Sequence, residues 1–306
     1  MSNLSELLEG IVVTLTTPSL LLASLLTLPW LLARFMIYGF LLYSLLLLAR
    51  RNSGRRAGSL TSFRYAHRGL HDAQRPENSL TAFRAAAEQG FGAELDVHLT
   101  RDGRLAVIHD SELLRVCGRV GVVEELTAAE LSQYTLCGTA ERIPFLEEVV
   151  PLFVGKAPLL VELKTHRGNY AALAQAACAV LEPSGVDFCM ESFDPRVLLW
   201  LRWHRPHVVR GQLSQDFSKA PDKLGRGLGF FLKNLLCNFF TYSDFIAYRF
   251  EDRGGFSPRL CLGLWKPAMF YWTIRTPEAL RAAEAEGAHG IFEHFIPASP
   301  KKGEVI

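Results

Sequence analysis

Acids, histidines and cations recur in this chain at the ends of short apolar runs. His67 and Arg68 follow Tyr65-Ala66, and Glu94-Leu95-Asp96-Val97 ends another run. Ile108-His109-Asp110 closes a third, and Val161-Glu162-Leu163-Lys164 a fourth. Glu94 and Asp96 are two apart on an expected strand, so both side chains leave the same face. In a barrel strand that face is the inside. Two unpaired carboxylates pointing inward would be very costly. A divalent cation removes the difficulty, and hard oxygen donors suit Ca²⁺ or Mg²⁺. Glu162, also at a strand end, is the expected third ligand. The bland alternative for the three acids is a salt-bridge network with Arg68 and Lys164. His67 and His109 flank the acids, and imidazole is available in both protonation states near neutral pH.

These pieces stand in one order. Tyr65-Ala66-His67-Arg68-Gly69 comes first, then Pro76-Glu77-Asn78-Ser79, then Glu94-x-Asp96 and Thr100-x-Asp102-Gly103. The His109-Asp110 strand end and Glu162-x-Lys164 follow, with Trp272-Thr273 much later. The set resembles the glycerophosphodiester phosphodiesterase family, over roughly residues 63 to 295. The resemblance implies metal ligands at Glu94, Asp96 and Glu162 and an acid/base pair at His67 and His109. Arg68 and Lys164 would face the phosphate oxygens, where charge builds in the transition state. Glu77 would touch the metal shell or a substrate hydroxyl, and otherwise only suits a helix N-terminal turn. Trp272 would stack on the substrate, and otherwise belongs to the core. Asp110 either orients a neighbour or caps the next helix. His71 and His98 are expected to support the site or to pack in the core. The family usually has Thr-Asp before its final proline. Here Ile291-Phe292-Glu293-His294 precedes Pro297, so Glu293 stands where that aspartate is expected.

Positioning such residues takes a parallel sheet closed on itself. Short β-rich runs alternate with helical patterns, the signature of βα units. Candidate strands are Arg64–His67, Ala93–Val97, Ala106–His109, Leu159–Lys164, Phe188–Ser192, Val208–Leu213, Phe245–Tyr248, Tyr271–Ile274 and Gly290–Glu293. That is one more than a TIM-type (β/α)₈ barrel holds. Helices are expected at Ser79–Gln89, Tyr170–Leu181, Pro195–Trp203 and Pro277–Glu286, with Asn78 or Ser79 and Thr276 as caps. Residues 111 to 147 form a longer excursion containing the capping box Thr127-Ala128-Ala129-Glu130. Residues 226 to 241 are apolar enough either to dip into a bilayer interface or to pack as an outer barrel helix.

The 306 residues leave room for a barrel of about 250 residues plus an extra segment. A net charge of +2 gives no argument for nucleic acid as a partner. The six cysteines include no C-x-x-C pair and read as buried free thiols in a reducing compartment. Hydrophobic residues make up 49% of the chain, and the excess lies at the N-terminus.

Residues 11 to 49 carry a single charge, Arg34. One bilayer core takes about 20 apolar helical residues. The run therefore reads as one transmembrane span with an extension, or as a hairpin turning near Pro29 to Arg34. A leader with Glu6 and Glu9 and no Lys or Arg argues against a cleaved signal peptide. Arg50, Arg51, Arg55 and Arg56 follow the run and place that end in the cytoplasm. The expected organisation is a membrane segment with basic flank over 1–56 and a catalytic barrel over 63–300. The protein would sit in the cell membrane, among membrane lipids, with its catalytic domain on the cytoplasmic side.

The expected reaction is metal-dependent hydrolysis of a glycerophosphodiester, such as glycerophosphocholine or glycerophosphoethanolamine, to an alcohol and glycerol 3-phosphate. It would use one divalent ion, Ca²⁺ or Mg²⁺. The membrane segment raises an alternative, lysophospholipase D chemistry on a lysolipid. A non-catalytic phosphodiester-binding membrane protein is the third reading, and the complete set of acids, bases and cations argues against it. Oligomeric state leaves no mark in the sequence.

Overall fold

The structure is a computed structural model that describes residues 18–50, 58–219 and 224–298. Its contacts divide the chain into two compact units, Met1–Leu45 and Leu46–Ile306.

The first unit is dominated by one helix, α1 (Pro18–Leu46). It is leucine-rich, and it runs through Pro29 without interruption, so no hairpin turn occurs at 29–34. Over residues 27–42 its apolar side chains face outward, with Trp30, Phe35 and Met36 about 70% exposed or more. The 20 residues Thr27–Leu46 have a mean hydropathy of 1.4 and only 6% burial. A soluble chain rarely exposes so much contiguous apolar surface. By length and composition this helix is a candidate membrane span, and a signal sequence would meet the same test. Arg51, Arg55 and Arg56 lie outside the described residues.

The second unit is a closed barrel of eight parallel strands. They are β1 (Tyr65–His67), β2 (Gly92–Leu99), β4 (Leu159–Leu163), β5 (Phe188–Ser192), β6 (Arg210–Ser214), β7 (Phe245–Arg249), β8 (Ala268–Ile274) and β9 (His289–Phe292). Closure comes from β1, which pairs with β2 on one side and β9 on the other. The surplus strand is β3 (Leu105–Val107), which runs antiparallel along the C-terminal end of β2, Val97 to Leu99. It lies where β1 no longer pairs, and so extends the rim without entering the barrel. The interior is filled by Tyr65, Leu160, Cys189, Leu213, Phe245, Phe270 and Ile291. Gly211 makes room for one of them: a Cβ there would lie 2.0 Å from the Phe245 ring.

Among the described residues, six helices of eight or more residues wrap the barrel: α2 (Leu80–Glu88), α3 (Tyr170–Leu181), α4 (Pro195–His204), α5 (Arg226–Lys233), α6 (Phe256–Trp265) and α7 (Pro277–Ala285). Ser79, not Asn78, caps α2, its Oγ accepting from Ala82 N. Thr276 caps α7 in the same way. The Thr127–Glu130 capping box forms as expected. In the 226–241 stretch, Phe231 and Leu232 pack toward Phe217 while Leu228 and Phe230 stay exposed. The excursion after β3 carries its own core, including Ile108, Leu113, Val116, Leu131 and Leu136.

Residues just after α1 belong to the barrel unit. Leu47 and Ala49 are fully buried, and Arg50 Nε lies 2.8 Å from Asp244 Oδ1. Four of the cysteines are buried free thiols, but Cys117 is partly exposed and Cys137 exposed. Their expectation of burial fails because both lie on the excursion, whose core is too small to cover every apolar residue.

Candidate active site

The C-terminal ends of the barrel strands bring the expected residues to one mouth. Strand register sets His67 beside Glu94, and Asp96 beside Glu162. Carboxylate oxygens of Glu94, Asp96 and Glu162 all lie within 4.8 Å of one another, and all three residues are buried. Lys164 Nζ bridges Asp96 at 3.1 Å and Glu162 at 2.9 Å. Arg68 Nε is 3.4 Å from Asp96 Oδ2, and Asn78 Nδ2 donates to the same oxygen at 2.9 Å. Glu94 Oε2 accepts from the Arg68 backbone N–H at 3.1 Å. That contact depends on the left-handed turn at Arg68 (φ 55°) and Gly69 (φ 81°). A Cβ at Gly69 would lie 2.8 Å from the Ala82 backbone, so glycine is needed there.

Burial, with the charges of Asp96 and Glu162, pushes the Glu94 carboxyl well above its usual range. Burial also lifts Glu162, to about 7, although Lys164 opposes it. Burial would raise Asp96 too, but Lys164, His109, Arg68 and the Asn78 hydrogen bond hold it well below. The two cations therefore do not satisfy the cluster, and two of its carboxyls still resist ionisation. A buried, all-oxygen donor set short of positive charge fits a hard divalent ion. The salt-bridge network and the ligand set are thus the same residues.

Each histidine gives one nitrogen to a carboxylate. His67 Nδ1 lies 2.5 Å from Glu293 Oε2, with Nε2 3.9 Å from Glu94 Oε2. His109 Nδ1 lies 2.6 Å from Asp110 Oδ1, so Asp110 orients its neighbour. Burial lowers both imidazoles, His109 to about 4. His98 sits behind the site, bonding Glu124 through Nδ1 and reaching the His109 carbonyl through Nε2 at 3.1 Å. His71 lies 3.8 Å from Glu293.

A cavity of about 410 Å³ opens on these groups. His67, Arg68, Glu94, His109, Glu162 and Lys164 form its polar end, and Phe193, Phe217, Leu224 and Trp272 an apolar wall. Trp272 packs edge-on to Phe193 at 5.6 Å, and its indole N–H has no hydrogen-bond partner among the described residues. Glu77 stands between Arg68 (3.1 Å) and Arg115 (2.6 Å) and does not reach the three buried acids' cluster. Four features escaped sequence reasoning: the Glu293 bond to His67, Asn78 on Asp96, Arg115 on Glu77, and Glu191 in the cavity wall. Pro76-Glu77-Asn78 did mark two of these positions. Arg115 and Glu191 carry no local signal.

Comparison with known proteins agrees with this arrangement. The profile of the glycerophosphoryl diester phosphodiesterase family matches residues 67–298. A glycerophosphodiester phosphodiesterase of Bacillus altitudinis is 34% identical over 170 residues, 52% of this chain and 69% of its own. Bacillus subtilis YqiK is 30% identical over 252 residues, 79% of this chain and 97% of its own. Among solved structures, an Oleispira antarctica phosphodiesterase in complex with the product sn-glycerol-3-phosphate superposes with a TM-score of 0.64 at 22% identity. It covers 78% of this chain and 94% of its own, and supports the barrel fold. The Thermotoga maritima glycerophosphodiester phosphodiesterase gives a TM-score of 0.56 at 25% identity, covering 76% and 94%. The chain belongs to the glycerophosphoryl diester phosphodiesterase family and is a phosphoric diester hydrolase.

Proposed function

We propose that this enzyme hydrolyses small glycerophosphodiesters, such as glycerophosphocholine and glycerophosphoethanolamine, to an alcohol and glycerol 3-phosphate, a step of lipid metabolism. The observation that carries the reading is the pair of carboxylate-held histidines, His67–Glu293 and His109–Asp110, at the edge of the buried acid cluster. The name of the Oleispira complex, with its glycerol phosphate product, supports a substrate of this class.

Glu94, Asp96 and Glu162 would hold one divalent ion, Ca²⁺ or Mg²⁺. When bound, such an ion supplies Lewis-acid stabilisation of phosphoryl charge. The side chains do the rest. With Nδ1–H donated to a carboxylate, each imidazole turns Nε2 to the cavity, to take or to give a proton there. One histidine, neutral at Nε2, takes the proton of the attacking oxygen, either water or a substrate hydroxyl next to the phosphate. The other enters the step protonated at Nε2 and gives that proton to the leaving alkoxide. Arg68 and Lys164, fixed by Asp96 and Glu162, offset the added negative charge as the phosphorus centre crowds. Glu77 would meet a substrate hydroxyl, and Trp272, in the apolar wall of the cavity, would cover the apolar side of the substrate.

The anchor belongs to the same proposal. Residues 1–56 would form a membrane segment with basic flank, and 63–300 the catalytic domain on the cytoplasmic side, with membrane lipids as neighbours. The apolar wall of the cavity favours a second reading, lysophospholipase D action on lysophospholipids.

The test is choline release by the full-length protein in detergent from glycerophosphocholine and from lysophosphatidylcholine. Each is assayed in EDTA and again after Ca²⁺ or Mg²⁺ is restored. Metal-restored release from the soluble diester supports the first reading. Release from the lysolipid alone supports the second, and no release from either refutes both.

A further inference from the structure

The barrel places one more acid at the mouth than the ligand set needs. Register sets Asp96 of β2 beside Glu162 of β4, and Glu162 beside Glu191 of β5. Neighbours in register share a face of the sheet, and Glu191 lines the same cavity as Glu94, Glu162 and Lys164. It is 1% exposed, and its Oε2 has no hydrogen-bond partner among the described residues. An unpaired buried carboxylate is expensive, and a protein keeps one only where something compensates.

The nearby polar groups are committed elsewhere. Tyr65 OH donates to Leu60 O at 2.8 Å. Lys164 is shared between Asp96 and Glu162, and Arg68 between Asp96 and Glu77. When ionised, Glu94, Asp96, Glu162 and Glu191 carry four negative charges against the two positive charges of Arg68 and Lys164. The deficit is the charge of one divalent ion. Without Glu191 the ion would overshoot the balance by one.

We propose that Glu191, which lies beside the three-carboxylate set but not within it, turns toward the ion as a fourth carboxylate of the metal centre, from the β5 side next to Glu162. The inference rests on the reading of Glu94, Asp96 and Glu162 as ligands. Its consequence is a tighter ion site than three carboxylates provide, because ligand charge count tunes the affinity of hard-cation sites.

The experiment uses the full chain in detergent, stripped with EDTA, and compares wild type, Glu191→Gln and Glu162→Gln. Ca²⁺ and Mg²⁺ binding are titrated by calorimetry, and melting is followed with and without the ion. Glu191→Gln should weaken binding of the preferred ion at least tenfold. Its melting temperature in EDTA should match or exceed that of wild type, because a buried acid with an unpartnered oxygen is gone, while the ion-induced rise shrinks. Wild-type affinity in Glu191→Gln, within twofold, overturns the proposal. So does a lower melting temperature in EDTA with the ion-induced rise unchanged, the mark of a purely structural residue. If Glu162→Gln loses the ion and Glu191→Gln does not, only this inference fails. If wild type binds neither ion, the ligand reading itself fails and carries this inference with it.

Discussion

Glu293 Oε2 lies 2.5 Å from His67 Nδ1, and Glu293 Oε1 takes Arg275 Nε at 2.8 Å. Barrel closure makes this contact, because β1 and β9 are neighbours, His67 ends β1 and Glu293 follows β9. Burial would raise the Glu293 carboxyl, but the His67 bond and the surrounding histidine and arginine charges hold it far below its usual range. It therefore stays ionised and fixes the His67 ring and tautomer. Glu293→Gln should lower kcat on the order of 10²-fold with little change in KM, and Glu293→Asp should recover part of the loss. Steady-state kinetics of the three proteins on glycerophosphocholine checks this, and an unchanged kcat in Glu293→Gln would remove Glu293 from the mechanism.

Glu94→Gln and Glu162→Gln should each cut divalent-dependent turnover by about 10³-fold or more, since metal stabilisation of phosphoryl charge is worth several kcal/mol. EDTA should bring the wild type to a similar level. Full activity in either variant would reassign the ligands.

A pH effect on stability is expected from His289, away from the site. Burial lowers its imidazole to about 4, against an ordinary value of 6.5. The folded state then refuses a proton that the unfolded chain accepts. Stability is intact above pH 6.5, falls as pH drops from 6.5 to 4, and changes no further on this account below 4. The whole effect is about 3 kcal/mol. Urea denaturation at pH 7 and pH 4 should show His289→Leu losing less stability than wild type by about that amount. Parallel losses in the two proteins would count against the assignment.

Much of this was legible in the sequence, and the gaps have physical causes. Glu94 and Asp96 announce themselves because a two-residue spacing of acids on a strand demands an explanation. The nine apolar runs were all real strands, but the extra one could not be told apart by pattern. Ala106–His109 is as apolar as its neighbours, and only pairing direction sets β3 outside the barrel. Glu293 was visible as a departure from the family ending, while its bond to His67 depends on closure across more than two hundred residues. Glu191 sits in an unremarkable Met-Glu-Ser run, and its neighbourhood with Glu162 exists only in the folded register.

The apolar N-terminal helix, a candidate membrane span, offers a cut that sequence alone places differently. Removal of residues 1–46 should release the protein from membranes and keep Leu47, Ala49 and Arg50 in the barrel unit. Removal of residues 1–58 should also release it, but at a loss of about 2 to 4 kcal/mol from the missing apolar burial and the broken pairing of Asp244 with Arg50. Fractionation and urea melts of the two truncated chains check both statements, and equal stability would mean the buried stretch contributes nothing.

The two histidines rest on different hydrophobic clusters of one compact unit. His67 ends a barrel strand, whereas His109 stands at the root of the excursion, whose core is its own. Such an appended unit can open by local unfolding at a smaller free energy than the whole fold. Warming or mild denaturant would then separate the two proton-handling groups while the acid cluster stays assembled. Inactivation should precede collapse of the barrel, with amide exchange near Leu113 and Val116 rising first, so the enzyme's working range is set by its smaller core.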